Sequence, residues 1–377
     1  MIKVLFANHS SVIGGAETNL LNLIRFADKG GYQPVGVLLP EEGPLATELR
    51  DLELPVGIIH YHSFDWRNPL RYAHSLLELI RWIRRTRADV IHLNHQWLSE
   101  HIALAGRIAN RPAVCHTRNL LDPEFVAQNR RWLGMFEAVI VESRAVERRA
   151  AKLGLRKSLT LIRNGIDTSR FRFRSNGNAF RHELDQLEHA RIVGYCGRIV
   201  PEKGVEDLIR AAPRILQLEP SVHFVLCGRD QNDGEYCRKL EDLAFELGVG
   251  GNVHFVGFRH DVEKVLEAIE ILVLPSRWSM PEGLPLSVLE GLAAGCLIVA
   301  SPISGVTEVV RPGETGILVE PEDPGILATA IVEALRMPES ELRRFHETGR
   351  ELVASEYSIE RQATQIGHLY RDLLHLN

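Results

Sequence analysis

The run Pro275-Ser-Arg-Trp-Ser-Met-Pro-Glu282-Gly-Leu-Pro-Leu286-Ser-Val-Leu-Glu290-Gly-Leu-Ala-Ala-Gly-Cys-Leu-Ile-Val-Ala300 decides how this chain is read. Ile271 to Leu274 ahead of it is an apolar run of strand length, and Cys296 to Ala300 is a second. Between them a loop rich in Pro and Gly gives way to a helical pattern that starts near Leu286. Strand, loop, helix and strand form the repeating unit of a parallel α/β sheet. Two carboxylates sit in this unit, Glu282 in the loop and Glu290 in the helix beside Leu289, Leu292 and two alanines. Burying a carboxylate in such company is costly unless donors meet it. The hydroxyls of a sugar or ribose are donors of the right kind. A lone Glu on a helix is more simply read as solvent-facing; a second carboxylate just before the helix favours a ligand.

The same alternation extends upstream. Strand-like runs occur at Ile2 to Ala7, Val35 to Leu39, Val56 to His60, Val90 to Leu93, Ala113 to His116, Ala138 to Val141 and Leu159 to Ile162. They resume at Arg191 to Gly197, Val222 to Leu226 and Val253 to Val256, with helical stretches between. Such sheets bind ligands beyond the carboxyl ends of their strands, where His9, His95 and His116 fall. After the first strand, Gly14-Gly15 leads into a helical pattern from Thr18 to Ala27. A glycine loop opening a helix points backbone N–H groups at an anion, although Gly-Gly alone equally marks a turn. It is not the Gly-x-Gly-x-x-Gly dinucleotide fingerprint, which counts against a two-domain dehydrogenase. After Arg191 to Gly197 come Arg198 and Lys203, two cations at a strand-to-helix loop with a helix from Val205, suited to a diphosphate.

With 377 residues the chain exceeds one ordinary domain. Hydrophobic content of 45% and charged content of 25% are those of a globular protein. The five cysteines form no Cys-x-x-Cys pair, and four lie in or beside strand-like runs, as reduced core residues do. The first residues enter a strand with no charged-then-apolar leader, and no apolar run approaches the ~20 residues of a membrane span. These features predict a cytoplasmic protein. Residues 1 to 170 hold 23 Lys/Arg against 17 Asp/Glu, whereas the remainder holds 21 against 32. Leu70 to Arg87 predicts an amphipathic helix with Arg71, Arg81, Arg84, Arg85 and Arg87 on one face and Leu76, Leu77, Leu79, Ile80 and Ile83 as its core stripe. That face either is merely solvated or meets an anionic membrane surface or phosphate-bearing acceptor, which would make the protein peripheral at the inner membrane face. Nucleic acid is not expected, since no basic stripe interleaved with aromatics appears.

The 275–300 stretch resembles the donor-site signature of the retaining glycosyltransferases of family 4, with Glu, seven residues, Glu inside Pro-Ser…Glu-Gly-aliphatic…Leu-Glu-Gly…Ala-x-Gly. Gly197-Arg198…Glu202-Lys203-Gly204, Asn164-Gly165-Ile166-Asp167, Gly305-Val306-Thr307-Glu308 and Gly316 to Pro321 match in the expected order. Two departures stand out: Arg277 to Pro281 lengthen the loop, and Pro285 stands where Gly is more frequent.

The resemblance implies the GT-B fold, two Rossmann-like doubly wound parallel-sheet domains facing across a cleft. It places an acceptor-binding domain at 1–168, a nucleotide-sugar-binding domain at 169–357 and a helix crossing back at 358–377, with a linker within 168 to 190. It implies His116, Arg198, Lys203 and Glu282 as catalytic. Gly14, Gly15, Arg198, Lys203, Gly257, Phe258, Glu282, Gly283, Leu284, Leu286 and Glu290 would bind the donor. Arg198 and Lys203 would neutralise the diphosphate, Glu290 hold the ribose, Glu282 hold the transferred sugar, and His116 touch sugar or phosphate. The partners implied are a nucleotide-diphosphate sugar and a glycan, lipid-linked or small-molecule acceptor. No cofactor is implied, and with no Asp-x-Asp in the chain, no metal. A sugar-nucleotide epimerase, a phosphorylase and a non-catalytic carbohydrate-binding protein share this architecture and stay open at this point.

Overall fold

The computed structural model describes residues 1–62, 66–155, 159–171, 178–184, 187–230, 234–279 and 282–375. Met280 and Pro281 of the signature loop, and 172–177 and 185–186 of the expected linker, lie outside these. The chain forms two compact units, Met1–Ile166 with Ser358–Asn377, and Asp167–Tyr357.

In the first unit the strands are β1 (Ile2–Ala7), β2 (Tyr32–Leu39), β3 (Val56–Ile58), β4 (Val90–Leu93), β5 (Ala113–His116), β6 (Ala138–Val141) and β7 (Leu159–Leu161). All pair in parallel in the order β3-β2-β1-β4-β5-β6-β7. The continuous apolar runs follow from burial on both faces. With a side-chain period of two, Leu5, Leu38, Leu93 and Cys115 join one core, and Val4, Phe6, Val37 and Val114 join the other. The helix Ile359–Leu373 closes the second core through Ile359, Ala363, Ile366 and Tyr370.

The second unit holds β8 (Arg191–Cys196), β9 (Val222–Cys227), β10 (Val253–Gly257), β11 (Ile271–Leu274), β12 (Leu297–Ala300) and β13 (Gly316–Leu318), in the order β10-β9-β8-β11-β12-β13. Its pairings are again parallel. In each sheet the connection reverses direction beside one strand, between β1 and β4 and between β8 and β11. Those two switch points are where open α/β sheets leave a crevice for ligands.

One expectation is corrected. Leu77, expected in the core stripe, is 52% exposed on the helix Pro69–Thr86, whose buried residues are Ser75, Leu79, Ile80 and Ile83. At 3.6 residues per turn, position 77 shares its face with exposed Arg81 and Arg84, not with Leu79 and Ile83.

Candidate functional site

At the switch point of the second sheet, the loop after β8 carries Arg198 and Lys203. Arg198 is exposed and makes no hydrogen bond or ion pair through its guanidinium among the described residues. Lys203 closes a short turn, Pro201–Lys203, just before the helix Val205–Leu218, and its ammonium contacts the Glu282 carboxylate; both side chains are about one-tenth exposed. Burial and nearby Arg198 push Lys203 down, to about 7. The second Glu282 oxygen, Oε2, is buried and has no hydrogen-bond partner among the described residues. A buried acceptor without a donor is uncommon.

Gly204 brings the two loops together. At φ +68° it lies in the left-handed region, and a Cβ there would run into the Pro275 carbonyl oxygen. Only glycine fits both demands. The lengthened loop is then pinned by Arg277, whose N–H donates to the Glu202 carbonyl at 2.8 Å and whose guanidinium pairs with Asp207 at 3.3 Å.

The helix Leu286–Ala294 carries Glu290, partly exposed, with no hydrogen bond to its carboxylate among the described residues. Burial raises it to about 7; Arg170 nearby lowers it, and Glu263 adds to the rise. Arg170 is itself committed to Glu263 at 2.7 Å. Gly283, Leu284 and Leu286 are buried beside these carboxylates, and the Gly283 carbonyl accepts from Gly305 N–H at 2.8 Å.

The turn after β8 meets two others, those after β9 and β10. Phe258, 40% exposed, follows Gly257, which adopts φ +69°. The Arg229 guanidinium lies 4.4 Å from the Phe258 ring centroid, a cation–π contact of roughly 0.5–1 kcal/mol at such an exposed site. Sequence reading did not single out Arg229. The signal was present, because Gly228-Arg229 repeats after β9 the Gly197-Arg198 pattern after β8.

In the first unit, Gly14 is extended and Gly15 begins the helix Gly15–Arg25, three residues earlier than expected. The Gly14 N–H already donates to Glu17 Oε2 at 3.1 Å, so part of the anticipated anion cradle is filled by the chain's own carboxylate. Glu17 opens a buried polar network that the sequence did not reveal. Asn8 Nδ2 donates to Glu17 at 3.0 Å and Asn94 Nδ2 to Asn8 at 2.8 Å. Arg118 donates to Asn94, to Asn19 at 2.8 Å and to Asn164 at 3.0 Å, and Asn164 Nδ2 donates to Glu142 at 2.6 Å. Gln362 of the last helix accepts from Asn19 at 2.9 Å and from Gly165 N–H at 2.8 Å. Burial lowers Arg118 to about 10, against the pull of Glu142 and Glu17.

The His9 and His95 rings lie with centroids 4.2 Å apart and planes tilted by 37°, across the β1–β4 switch point. His116 stands at the end of β5. Its ring is fully buried with neither nitrogen bonded among the described residues, and burial drives it well below its ordinary value. The ring packs 5.6 Å from that of His92.

The chain matches two family models, "Glycosyl transferases group 1" over residues 178–352 and "Glycosyltransferase Family 4" over residues 13–170. The lipopolysaccharide core biosynthesis glycosyltransferase LpsE of Rhizobium meliloti (strain 1021) is 30% identical over 361 residues, 93% of this chain and 94% of that protein. The D-inositol 3-phosphate glycosyltransferase of Corynebacterium efficiens is 31% identical over 198 residues, and there the match spans 51% of this chain and 45% of that protein. The crystal structure of Anabaena Alr3699/HepE in complex with UDP and glucose gives a TM-score of 0.85 at 24% identity, over 98% of this chain and 99% of that one.

Proposed function

Because the chain belongs to the group 1 and family 4 glycosyltransferases and has their GT-B fold, we propose that it moves a sugar from a nucleotide-diphosphate sugar to an acceptor hydroxyl with the anomeric configuration retained. The observation that carries this reading is the unpartnered Oε2 of Glu282 beside Lys203 and Arg198. A sugar hydroxyl would supply the missing donor, and the diphosphate would lie against the two cations. Glu290 would take the ribose hydroxyls through its free carboxylate.

In the reaction so read, the bond between the sugar's anomeric carbon and the diphosphate oxygen breaks, and the acceptor oxygen bonds to that carbon on the same face. The acceptor proton passes to the leaving phosphate. Negative charge grows on the diphosphate as the bond breaks, so preorganised cations act most strongly at the transition state. Arg198 and Lys203 supply that charge, and this scheme draws on no metal or cofactor besides the co-substrate.

The acceptor class is a glycan, a lipid-linked sugar or a small polyol. LpsE's name places that relative in lipopolysaccharide core biosynthesis, which favours the first two. Exposed Arg81, Arg84 and Arg85, with Leu77 52% and Leu70 78% exposed on the same helix, suit contact with an anionic membrane. No described helix is long and apolar enough to cross one.

Incubation with UDP-, GDP- and ADP-sugars and a panel of glycan and lipid-linked acceptors, with product anomers read by NMR, tests the reading. An α-linked product from an α-linked donor is expected. An inverted product, or donor turnover that never glycosylates an acceptor, would refute it.

A further inference from the structure

We propose that the β1–β4 switch point of the first unit takes the acceptor as an uncharged sugar residue resting on Trp97 and rejects phosphorylated sugars, an inference that rests on the transfer reading above and narrows its acceptor class. The strands β2, β1, β4 and β5 are neighbours in that order, so the loops at their carboxyl ends adjoin. Residues 8–14, 40–43 and 94–98, which follow β1, β2 and β4, include no lysine or arginine. Residues 117–122, after β5, include only Arg118. That side chain is buried and committed to the Asn94 carbonyl at 3.1 Å, to Asn19 at 2.8 Å and to Asn164 at 3.0 Å. These four loops therefore leave no free cation for an anionic ligand.

The crevice carries negative charge of its own. Glu17, buried in the first turn of the helix Gly15–Arg25, accepts from the Gly14 N–H at 3.1 Å and from Asn8 Nδ2 at 3.0 Å. The chain's own carboxylate thus occupies the helix N-terminus that would otherwise attract a phosphate. Arg118 is already faced by two buried carboxylates, Glu142 and Glu17. His9 and His95 add no charge: burial lowers both, His95 to about 2, with Glu17 pulling His9 the other way, so both rings are neutral at pH 7. A phosphate placed here would meet a buried carboxylate with no cation to offset it, and like charges brought together weaken binding.

What these loops present outward is aromatic. Trp97, on the short turn Gln96–Leu98 after β4, is 56% exposed. The His95 ring lies nearly parallel to it, at 6.1 Å and 8°, and Phe125 of the helix Pro123–Leu133 meets it at 5.0 Å and 71°. Two rings fix the orientation of the indole while more than half of the residue stays open. An indole face is electron-rich, and a sugar ring turns polarised C–H groups to such a face with its hydroxyls directed around the rim. One ring further along, half-buried His9 can exchange a hydrogen bond with a hydroxyl without adding charge. An aromatic platform with a neutral polar group at its side and no free cation suits an uncharged sugar.

Transfer is measured on the whole protein with acceptors in pairs. Maltotriose, chitotriose and mannotriose are each set against the same trisaccharide with a 6-phosphate on its non-reducing residue, and myo-inositol against myo-inositol 1-phosphate. At least one uncharged acceptor should be used, with kcat/KM at least about tenfold above that of its phosphorylated partner. Trp97→Ala should raise the KM for that acceptor by at least about tenfold and lower kcat far less, and Trp97→Phe should recover most of the loss. Trp97→Arg places a cation on the platform and should move the preference towards the phosphorylated partner. Nucleotide affinity, read by calorimetry, should stay the same in all three variants. A phosphorylated acceptor used as well as its uncharged partner, or an acceptor KM indifferent to Trp97→Ala, overturns this proposal and leaves the transfer reading standing. Transfer to no acceptor of either kind would instead sink the transfer reading, and this proposal with it.

Discussion

The Lys203 ammonium and the Glu282 carboxylate touch, although one follows β8 and the other follows β11, on opposite sides of the switch point. The contact has two consequences that separate experimentally. As a nearly buried pair it contributes to folding, and as a cation beside an unsatisfied carboxylate oxygen it belongs to the donor site.

Lys203→Ala should lower kcat by roughly 10²–10³, the usual cost of losing one preorganised donor to developing charge, with a smaller effect on donor affinity. Lys239→Ala, an exposed side chain paired with Glu235, is the control. Breaking a buried pair by removing one partner also destabilises, by about 3–5 kcal/mol. The double variant Lys203→Met, Glu282→Gln should therefore regain melting temperature without regaining turnover. Near-normal turnover in Lys203→Ala would show that the diphosphate lies elsewhere.

Glu290 supplies a pH signature. Its folded value of about 7 stands above the ordinary 4.5, so folding favours the protonated form. The stability it contributes is complete below about 4.5 and is lost as pH rises through 7. Ribose hydroxyls donate to a carboxylate, so nucleotide binding should strengthen between pH 6 and 8 and release a proton. In Glu290→Gln the rising slope and the proton release should disappear, leaving the opposite slope of Lys203, which also titrates near 7, and affinity at pH 8 should fall by roughly 1.5–3 kcal/mol. Calorimetry in buffers of different ionisation enthalpy measures both effects, and identical pH profiles for the wild type and Glu290→Gln rule out the ribose role.

Gly204 and Gly248 form a matched pair. Both adopt left-handed backbone, at φ +68° and +72°, but a Cβ meets the Pro275 carbonyl at the first and nothing within 4 Å at the second. Gly248→Ala should cost only the conformational strain, about 1–2 kcal/mol. Gly204→Ala should cost more in urea unfolding and should also depress turnover, because the clash pushes the Lys203 loop from the Glu282 loop. Equal behaviour of the two variants would argue that the loops do not depend on this close approach.

Arg118 is expected to be structural. Replacing it with Met strips the buried oxygens of Asn19, Asn94 and Asn164 of a donor, at about 1–3 kcal/mol for each acceptor left unsatisfied. Arg118→Lys should recover little, since a single ammonium cannot reach Asn19, Asn94 and Asn164 together. Urea midpoints decide this.

Replacing Arg81, Arg84 and Arg85 by Gln should reduce binding to anionic vesicles, with added salt acting in the same direction. If the unmodified protein ignores such vesicles at low salt, the helix is simply solvated and the acceptor is water-borne.

The sequence by itself determined the strands, their parallel sense and the donor signature, because these are properties of local spacing. An apolar run buried on both faces reads the same wherever its neighbours come from, and the Glu282–Glu290 spacing, Gly197-Arg198 and Lys203 lie within single loops and helices. What it could not determine are relations between residues far apart in the chain. Glu282 joins Lys203 only because parallel crossovers set β8 beside β11. Arg118 gathers Asn19, Asn94 and Asn164 only because four separate segments converge. That His116 is fully buried at the end of β5 was likewise invisible in sequence, because burial depends on what packs over a strand end, which tertiary structure alone decides.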